Sequence, residues 1–345
     1  MNNYVYQQML NFTPQSISMP KILIIRFSSI GDIVLTSPVV RCIREQIKNA
    51  EIHYLTKETY RPLLVGNPNI DRIFTIKDNL REVIPLLRRE KYDFIVDLHH
   101  NLRSLVTKLS LLRPSGTFPK KNFQKWVLVR FKVNLLPGLH VVDRYFRAAA
   151  RLGIVNDGLG LDHFIPDADV VPAEALPAAH RTGYVAFIIG ARHQTKVLPA
   201  EKIVQLCQRI GRPVVLLGGP EDQGRGEAIA VVAGSRIFNA CGRLNINQSA
   251  SLVARADLVI THDTGLMHIA AAFSKRIISI WGNTVPAFGM YPYLPESDRH
   301  LSSIHEVKGL KCRPCSKLGY SSCPLKHFRC MNELNVDAIL KEISS

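Results

Sequence analysis

A carboxylate stands in the turn that links the first apolar run of the chain to the helical segment after it. The stretch 21-KILIIRFSSIGDIVLTSPVV-40 begins as a buried strand, and Ser29, Gly31 and Asp32 follow in the turn. A carboxylate at a helix start commonly caps free N–H groups, and the local sequence alone favours that interpretation. The alternative is that Asp32 is a general base, because strand ends in open α/β sheets border the ligand cleft.

A second polar group ends a later apolar run, in 261-THDTGLMHIAAAF-273. Asp263 closes the strand pattern, and Thr264, Gly265 and Leu266 begin a helix. The free N–H groups of such a helix start bind anions, and His268, one turn further on, could face the same ligand. The simpler interpretation is that Asp263 caps the helix and His268 packs in the core.

Two further strand ends carry polar residues. The loop in 188-IIGARHQTKVLPAE-201 contains Arg192, Thr195 and Lys196, and these cations and the hydroxyl suit a diphosphate. In 216-LLGGPEDQ-223, two glycines allow close backbone approach and Glu221 could accept hydrogen bonds from ribose hydroxyls. A solvated loop and an ordinary Gly-Gly-Pro turn are the simpler readings of the two segments.

Apolar runs alternate with helical periods over residues 21–99 and again over 184–282, which predicts two doubly wound α/β domains with parallel sheets. A Gly-, Asp- and Pro-rich stretch at about 156–180 reads as the linker. The G-x-G-x-x-G dinucleotide fingerprint is absent after the first strand, which argues against a dehydrogenase. We divide the chain into an N-terminal extension (1–20), a first domain (21–165), and a second domain (166–345) that includes a Cys-rich segment (312–330) and a terminal helix.

Charge points to an anionic partner. The 345 residues contain 44 Lys and Arg against 28 Asp and Glu, a net charge of +16. Residues 113–140 are basic and interleaved with aromatics, which also suits single-stranded nucleic acid, but we find no nucleic-acid motif. An acidic membrane surface or a phosphorylated small molecule explains the same charge. With no secretory signal and no membrane-spanning run, we expect a cytoplasmic protein that is peripheral at the inner membrane.

The order of these motifs is more specific than any one of them. An acid follows the first strand, and a Lys loop, Gly-Gly-x-Glu and Asp-Thr-Gly-x-x-His follow in the second half. From Lys21 onward the chain resembles glycosyltransferase family 9, the lipopolysaccharide heptosyltransferase family. The resemblance implies a GT-B fold and an inverting sugar transfer from a nucleoside diphosphate, with no metal and no cofactor. It also implies that Asp32 is the general base.

The resemblance assigns the two sides of the cleft. The donor side would comprise Lys196, Thr195, Arg192, Glu221, Asp263, Thr264, Gly265, Leu266 and His268. On the acceptor side we place Ser29, Gly31, Arg103, Lys120, Lys121 and Arg144. One departure is that Ala191, Arg192 and His193 replace the family's Thr-Thr loop, with Thr195 shifted in register.

Four cysteines cluster near the end of the chain, at positions 312, 315, 323 and 330. Their spacing is close to that of zinc sites, and a reduced, packed loop is the alternative. Taken together, we expect a transferase that moves a heptose from an ADP-sugar to an anionic lipopolysaccharide-core acceptor. A sugar-nucleotide 2-epimerase and a non-catalytic lipid or nucleic-acid binder are the alternatives.

Overall fold

The computed structural model describes residues 19–77 and 79–344. The predicted N-terminal extension therefore lies almost wholly outside the described residues. Within them, the predicted alternation of strands and helices is confirmed, and it builds two parallel sheets.

The first sheet has five strands in the order β3-β2-β1-β4-β5, and all paired strands are parallel. The strands are β1 (Lys21–Ile25), β2 (Glu51–Lys57), β3 (Arg72–Ile76), β4 (Phe94–Asp97) and β5 (Ser115–Thr117). The apolar composition of β1 and β4 suits strands covered on both faces. The sequence does not predict β5, because this Ser-Gly-Thr edge strand lacks an apolar run. The strand order reverses between β1 and β4, and such a switch point opens a crevice at the carboxyl ends of the strands.

Prolines divide two helices that the sequence pattern predicts as single segments over 33–48 and 80–91. Pro38 lies in the first turn of the second piece of one, and Pro85 in that of the other. Proline lacks the N–H that would continue a preceding helix. The helices of this half are α1 (Ile30–Val34), α2 (Ser37–Gln46), α3 (Ile84–Arg89), α4 (Leu102–Leu111), α5 (Asn122–Phe131) and α6 (Val141–Ala149).

The second sheet has six strands in the order β11-β10-β9-β6-β7-β8, again with parallel pairing. The strands are β6 (Val185–Ile188), β7 (Val214–Leu217), β8 (Ile237–Asn239), β9 (Leu258–His262), β10 (Ile277–Trp281) and β11 (Ser302–Glu306). The sequence does not predict β11, because this half-exposed edge strand lacks an apolar run. The switch point of this sheet lies between β6 and β9.

The helices of the second half are α7 (Ala200–Arg209), α8 (Gln223–Ala233), α9 (Ile246–Arg255), α10 (Gly265–Ala272), α11 (Arg329–Asn332) and α12 (Val336–Ser344). The predicted linker contains only short 3₁₀ turns. Arg41 of α2 anchors the start of the linker: it pairs with Asp157 at 2.7 Å and also with Asp162.

The two halves also meet at the start of α6. The amide of Val141 donates to the carbonyl of Gly289 at 2.8 Å, and Arg144 Nη2 donates to the carbonyl of Phe288 at 3.0 Å. These bonds tie the first half to a loop of the second half near the crevice.

Candidate active site

The three charged residues singled out by the sequence follow the strands that flank the switch points. Asp32 comes after β1, Lys196 after β6 and Asp263 after β9. Parallel strands bring their carboxyl ends to one edge of each sheet, so the topology places these side chains at the two crevices.

Asp32 caps its own helix with one oxygen and leaves the other for a different contact. Its Oδ2 accepts hydrogen bonds from Ser29 Oγ at 2.8 Å and from the Ser29 amide at 3.3 Å. Its Oδ1 lies 2.6 Å from Arg26 Nη2 and 3.5 Å from the Tyr145 hydroxyl. A quarter of the side chain, 25%, is exposed. The capping and general-base interpretations are therefore compatible.

Arg26 keeps this carboxylate ionised. Burial would raise the pKa of Asp32, but the charge of Arg26 and the hydrogen bonds from Ser29 outweigh it and lower the pKa from its ordinary 3.8. A general base must be deprotonated before it can accept a proton. Asp32 meets that condition at neutral pH.

The helix starts of the two halves touch beside Asp32. A Cβ on Gly31 would lie 2.6 Å from His268 Cδ2, and one on Gly265 would lie 2.4 Å from Ile30 Cγ2. Both distances are shorter than side-chain atoms tolerate, so each glycine is required by the opposite half of the molecule. Sequence reasoning placed Gly31 against a ligand; the structure places it against the ring of His268.

His268 lies between the proposed base and the donor side. Burial lowers its pKa to about 4, while the charges of Asp263 and Asp32 act in the opposite direction. The imidazole is thus neutral at pH 7, and its Nδ1 finds no hydrogen-bond partner in the described part of the chain. His262, by contrast, accepts the Leu198 amide at 3.0 Å through Nε2 and supports the loop before α7.

A lysine and an aspartate pair across the second crevice. Lys196 Nζ lies 2.6 Å from Asp263 Oδ2, which also accepts from Thr284 Oγ1 at 2.9 Å. The adjacent Thr264 hydroxyl is buried without a hydrogen-bond partner among the described residues. The first-turn amides of α10, including those of Gly265 and Leu266, have no acceptor within the helix. Cation, hydroxyl and amides together form a site suited to phosphate.

Two predicted donor residues are placed differently from the rest. Thr195 is buried, and its hydroxyl accepts from the Tyr320 amide at 2.8 Å, so it holds the Cys-rich segment. Arg192 is exposed on the same loop. A cavity of about 840 Å³ opens beside Thr195 and is lined by residues of the loop 194–200, by the segment 321–332 and by Arg225. Neither Lys196 nor Asp263 lines it.

The Gly-Gly turn after β7 packs against Asp222, which the sequence did not indicate as a site residue. Glu221 is exposed, whereas its neighbour Asp222 is buried and accepts from the Gly219 amide at 3.0 Å. A Cβ on Gly218 would lie 2.7 Å from the Cβ of Asp222. Asp222 also pairs with Arg225. The glycine at 218 therefore makes room for Asp222, and Glu221 is free to reach a ligand.

Cations gather around Asp32 from several elements. Burial and the charges of Arg144 and Lys317 lower the pKa of Lys125 to about 8, while Asp32 raises it. Burial and the charge of Arg26 lower the pKa of Lys120, which is also influenced by Lys317. Lys125 and Lys317 were not among the sequence-predicted site residues. An excess of partly buried positive charge in this region is suited to an anionic ligand.

The remaining acceptor candidates are more peripheral or already engaged. Arg144 is buried and donates to the carbonyls of Phe288 and Lys120. Arg103 is half-buried in the first turn of α4, and Lys121 is half-buried at the start of α5.

The four C-terminal cysteines are free thiols. Burial raises the pKa of Cys315 to about 11 and that of Cys330 to about 12. Among the described residues, no set of three potential ligand atoms lying within 4.8 Å of one another includes a cysteine. The geometry gives the metal-site hypothesis no support, and the segment packs instead against the Thr195 loop.

Comparison with known proteins agrees with this architecture. The model of the family "Glycosyltransferase family 9 (heptosyltransferase)" matches residues 80–319, which are 240 of the 345 residues. The chain belongs to glycosyltransferase family 9. It is therefore a glycosyltransferase, and the family resemblance seen in its motifs is confirmed.

Its relatives are lipopolysaccharide enzymes. The chain is 23% identical over 328 residues to lipooligosaccharide heptosyltransferase 2 of Haemophilus influenzae, covering 86% of this chain and 92% of the relative. It is 23% identical over 293 residues to lipopolysaccharide heptosyltransferase 2 of Escherichia coli, with 78% and 84% covered.

The predicted GT-B fold is confirmed by solved structures. ADP-heptose lipopolysaccharide heptosyltransferase II of E. coli superposes with a TM-score of 0.69 at 20% identity, covering 94% of this chain and all of that one. The E. coli heptosyltransferase WaaC with ADP gives 0.66 at 18% identity, with 94% and 99% covered. No helix within the described ranges is long and apolar enough to cross a bilayer.

Proposed function

We propose that the enzyme transfers a heptose from an ADP-linked donor to an anionic lipopolysaccharide-core acceptor, with inversion at the anomeric carbon and without a metal ion. The observation that carries the proposal is the position of Asp32. Its carboxylate is held by Arg26 and Ser29, partly exposed, at the point where the helix starts of the two halves meet.

In the proposed reaction, Asp32 takes the proton of an acceptor hydroxyl as that oxygen attacks C1 of the donor sugar. The bond from C1 to the diphosphate oxygen breaks on the opposite face, and ADP leaves with an added negative charge. Lys196, the Thr264 hydroxyl and the first-turn amides of α10 are placed to stabilise that charge. Because Lys196 is paired with Asp263, the hydroxyl and the amides would share this role with it, and we expect activity to persist in EDTA.

The identity of the donor rests on two supports. The unpaired hydroxyl and amides of the α10 start suit a diphosphate, and Glu221 is free to meet a ribose. A structural neighbour from E. coli, the heptosyltransferase WaaC, has been solved with ADP and with ADP-2-deoxy-2-fluoro heptose. The likeness of this neighbour to the chain favours ADP over other nucleotides in our proposal.

The acceptor is proposed from the charge beside Asp32. Lys120 and Lys125 are within electrostatic reach of the carboxylate that would activate the hydroxyl, and the exposed Lys317 acts on both of these lysines. A phosphorylated or otherwise anionic glycan would neutralise them. Because core glycans are carried on lipid, we further propose that the enzyme works as a peripheral protein at the inner face of the membrane.

Nucleotide binding tests the donor side. We expect calorimetry in EDTA to show that ADP binds more tightly than UDP, GDP or CDP, and that Lys196→Ala weakens ADP. Lys341→Ala, an exposed change on α12, is the matched control. Selectivity for another nucleotide would replace ADP in the proposal.

Product analysis tests the reaction. With donor and acceptor together, NMR should show a glycoside of inverted anomeric configuration. An altered sugar nucleotide formed without acceptor would favour the 2-epimerase. Absence of nucleotide binding by folded protein would favour the non-catalytic binder.

A further inference from the structure

Helix α4 exposes most of its apolar side chains and buries two polar ones. The exposed positions, with their exposed fractions, are Leu102 (74%), Leu105 (46%), Val106 (41%), Leu109 (61%) and Leu112 (83%), which follows the helix end. Ser104 and Thr107 on the opposite side are fully buried. A surface helix normally shows the reverse arrangement. An apolar stripe turned outward marks an interaction surface.

Specific bonds fix α4 in this orientation. Ser104 Oγ donates to Asp97 Oδ2 at 2.9 Å, and Lys108 Nζ lies 3.0 Å from the same oxygen. The buried Thr107 hydroxyl donates to the Arg103 carbonyl at 2.9 Å. Turning the stripe inward would break the bonds to Asp97 Oδ2 and take both α4 partners from a buried carboxylate, whose Oδ1 alone is held by the amides of His99 and His100. The exposed stripe is therefore built into the fold.

The apolar surface continues on α5. Phe123 and Trp126 are 66% and 51% exposed and stack with ring centroids 6.0 Å apart; Phe131, 59% exposed, meets Trp126 edge-on at 5.4 Å. Eleven of the 22 exposed large hydrophobic side chains of the described residues fall within 102–139. Trp with an apolar neighbourhood is typical of side chains that sit at a membrane–water interface.

Charge decides which partner fits. Residues 102–139 contain eight Lys and Arg and no Asp or Glu, so this segment carries half of the net charge of +16. A second copy of the same surface would meet like charge. The exposed aromatics of α5 would suit single-stranded nucleic acid, but the leucine stripe of α4 would gain nothing from a polar, charged strand. Anionic lipid satisfies both features, because its headgroups attract the cations and its acyl chains accept the leucines.

We propose that α4 and α5 form the membrane-binding face of the enzyme and lie in the headgroup region of an anionic bilayer. The inference deepens the proposed function, on which it rests for a lipid-linked acceptor. Helix α5 joins the two sites: Trp126 faces outward, while the adjacent Lys125 is within the electrostatic reach of Asp32. The cleft therefore opens beside the membrane, where such an acceptor is anchored.

Vesicle co-sedimentation of the full chain, without donor or acceptor, tests the face. The probes are vesicles of phosphatidylglycerol with phosphatidylcholine, and of phosphatidylcholine alone. Leu105→Gln/Leu109→Gln removes apolar surface and keeps the charge and helix propensity. Val231→Gln/Val232→Gln is the matched control, since these valines of α8 are 78% and 62% exposed.

Wild type and the control should bind the anionic vesicles, and added salt should weaken binding. The partition coefficient of the leucine variant onto anionic vesicles should be at least about tenfold lower, because each buried leucine contributes appreciably to the free energy of transfer from water. Its circular dichroism should match that of wild type. Equal binding by both variants, or equal binding to neutral vesicles, would overturn the proposal. So would a wild-type dimer that the leucine change dissociates, because a second copy would then cover the face.

Turnover on a water-soluble, lipid-free acceptor separates this inference from the proposed function. The leucine variant should keep full turnover there. If wild type binds vesicles but transfers no sugar, the function fails and the membrane face stands. If wild type transfers sugar but ignores anionic vesicles, the face fails and the function stands.

Discussion

The substitution Gly265→Ala adds one methyl group at the point where the two halves of the enzyme approach each other, and so tests how close that approach is. Its Cβ would lie 2.4 Å from Ile30 Cγ2 and 2.7 Å from Ile30 Cβ, whereas carbon atoms pack at about 3.5–4.0 Å. Ile30 is branched at Cβ and is stiff in a helix, so α1 must shift by about 1 Å. Overpacking of this kind costs about 1–3 kcal/mol, against a gain of about 1 kcal/mol from replacing glycine by alanine in a helix.

Because α1 carries Asp32, Gly265→Ala should lower turnover more than it lowers stability. A displacement of the base by about 1 Å reduces the rate by roughly 10- to 100-fold. The assays are kcat/KM for sugar transfer and the midpoint of denaturant unfolding. Gly224→Ala is the control, since a Cβ there meets nothing within 4 Å; it should keep turnover and stabilise slightly.

Ile30→Ala provides the second test, because it removes the atoms that collide. Added to Gly265→Ala, it should restore part of the lost turnover, giving a coupling between the two sites. Two results would show that the halves do not touch at this point. One is that Gly265→Ala behaves like Gly224→Ala, and the other is that the effects of Gly265→Ala and Ile30→Ala are simply additive.

Three further changes test individual groups. Arg26→Gln removes the charge that offsets the burial of Asp32, so the pKa of Asp32 should rise. The acid limb of the pH profile of kcat/KM should then move to higher pH, and an unchanged limb would refute the pairing of Arg26 with Asp32. Lys125 has a pKa of about 8, so it loses its charge as pH rises through that value, and KM for the anionic acceptor should increase. Lys125→Arg should flatten this increase. A KM that does not change with pH in the wild type would count against a role for Lys125 in acceptor binding. Thr195→Val removes the hydroxyl that holds Tyr320, so hydrogen exchange in 312–330 should quicken while ADP affinity stays unchanged; weaker ADP binding would instead indicate a phosphate contact.

The sequence predicts the architecture because the signals are local. Apolar runs bounded by turns identify nine of the eleven strands that the structure describes, and the alternation with helices requires parallel pairing. What it misses depends on packing. The edge strands β5 and β11 have no apolar run, and the proline-divided helices look continuous by periodicity alone. The sequence analysis assigns no helix at α4, and only its bonds to Asp97 decide that the leucines face outward.

The site follows the same division. Asp32, Lys196 and Asp263 are predictable because polar residues at strand ends converge at the switch points. Arg26 sits inside an apolar run and gives no hint that it pairs with Asp32. Lys317 reaches the same region from the Cys-rich segment, far away in the chain. Such contacts depend on how the two halves close.

The most direct test of the account is the rate of sugar transfer by Asp32→Asn with donor saturating, measured beside its affinity for ADP. The asparagine keeps the size of the side chain but cannot accept the proton. We predict a loss of about 10²- to 10⁴-fold in rate with unchanged ADP affinity. Transfer at the wild-type rate would contradict the assignment of Asp32 as the general base.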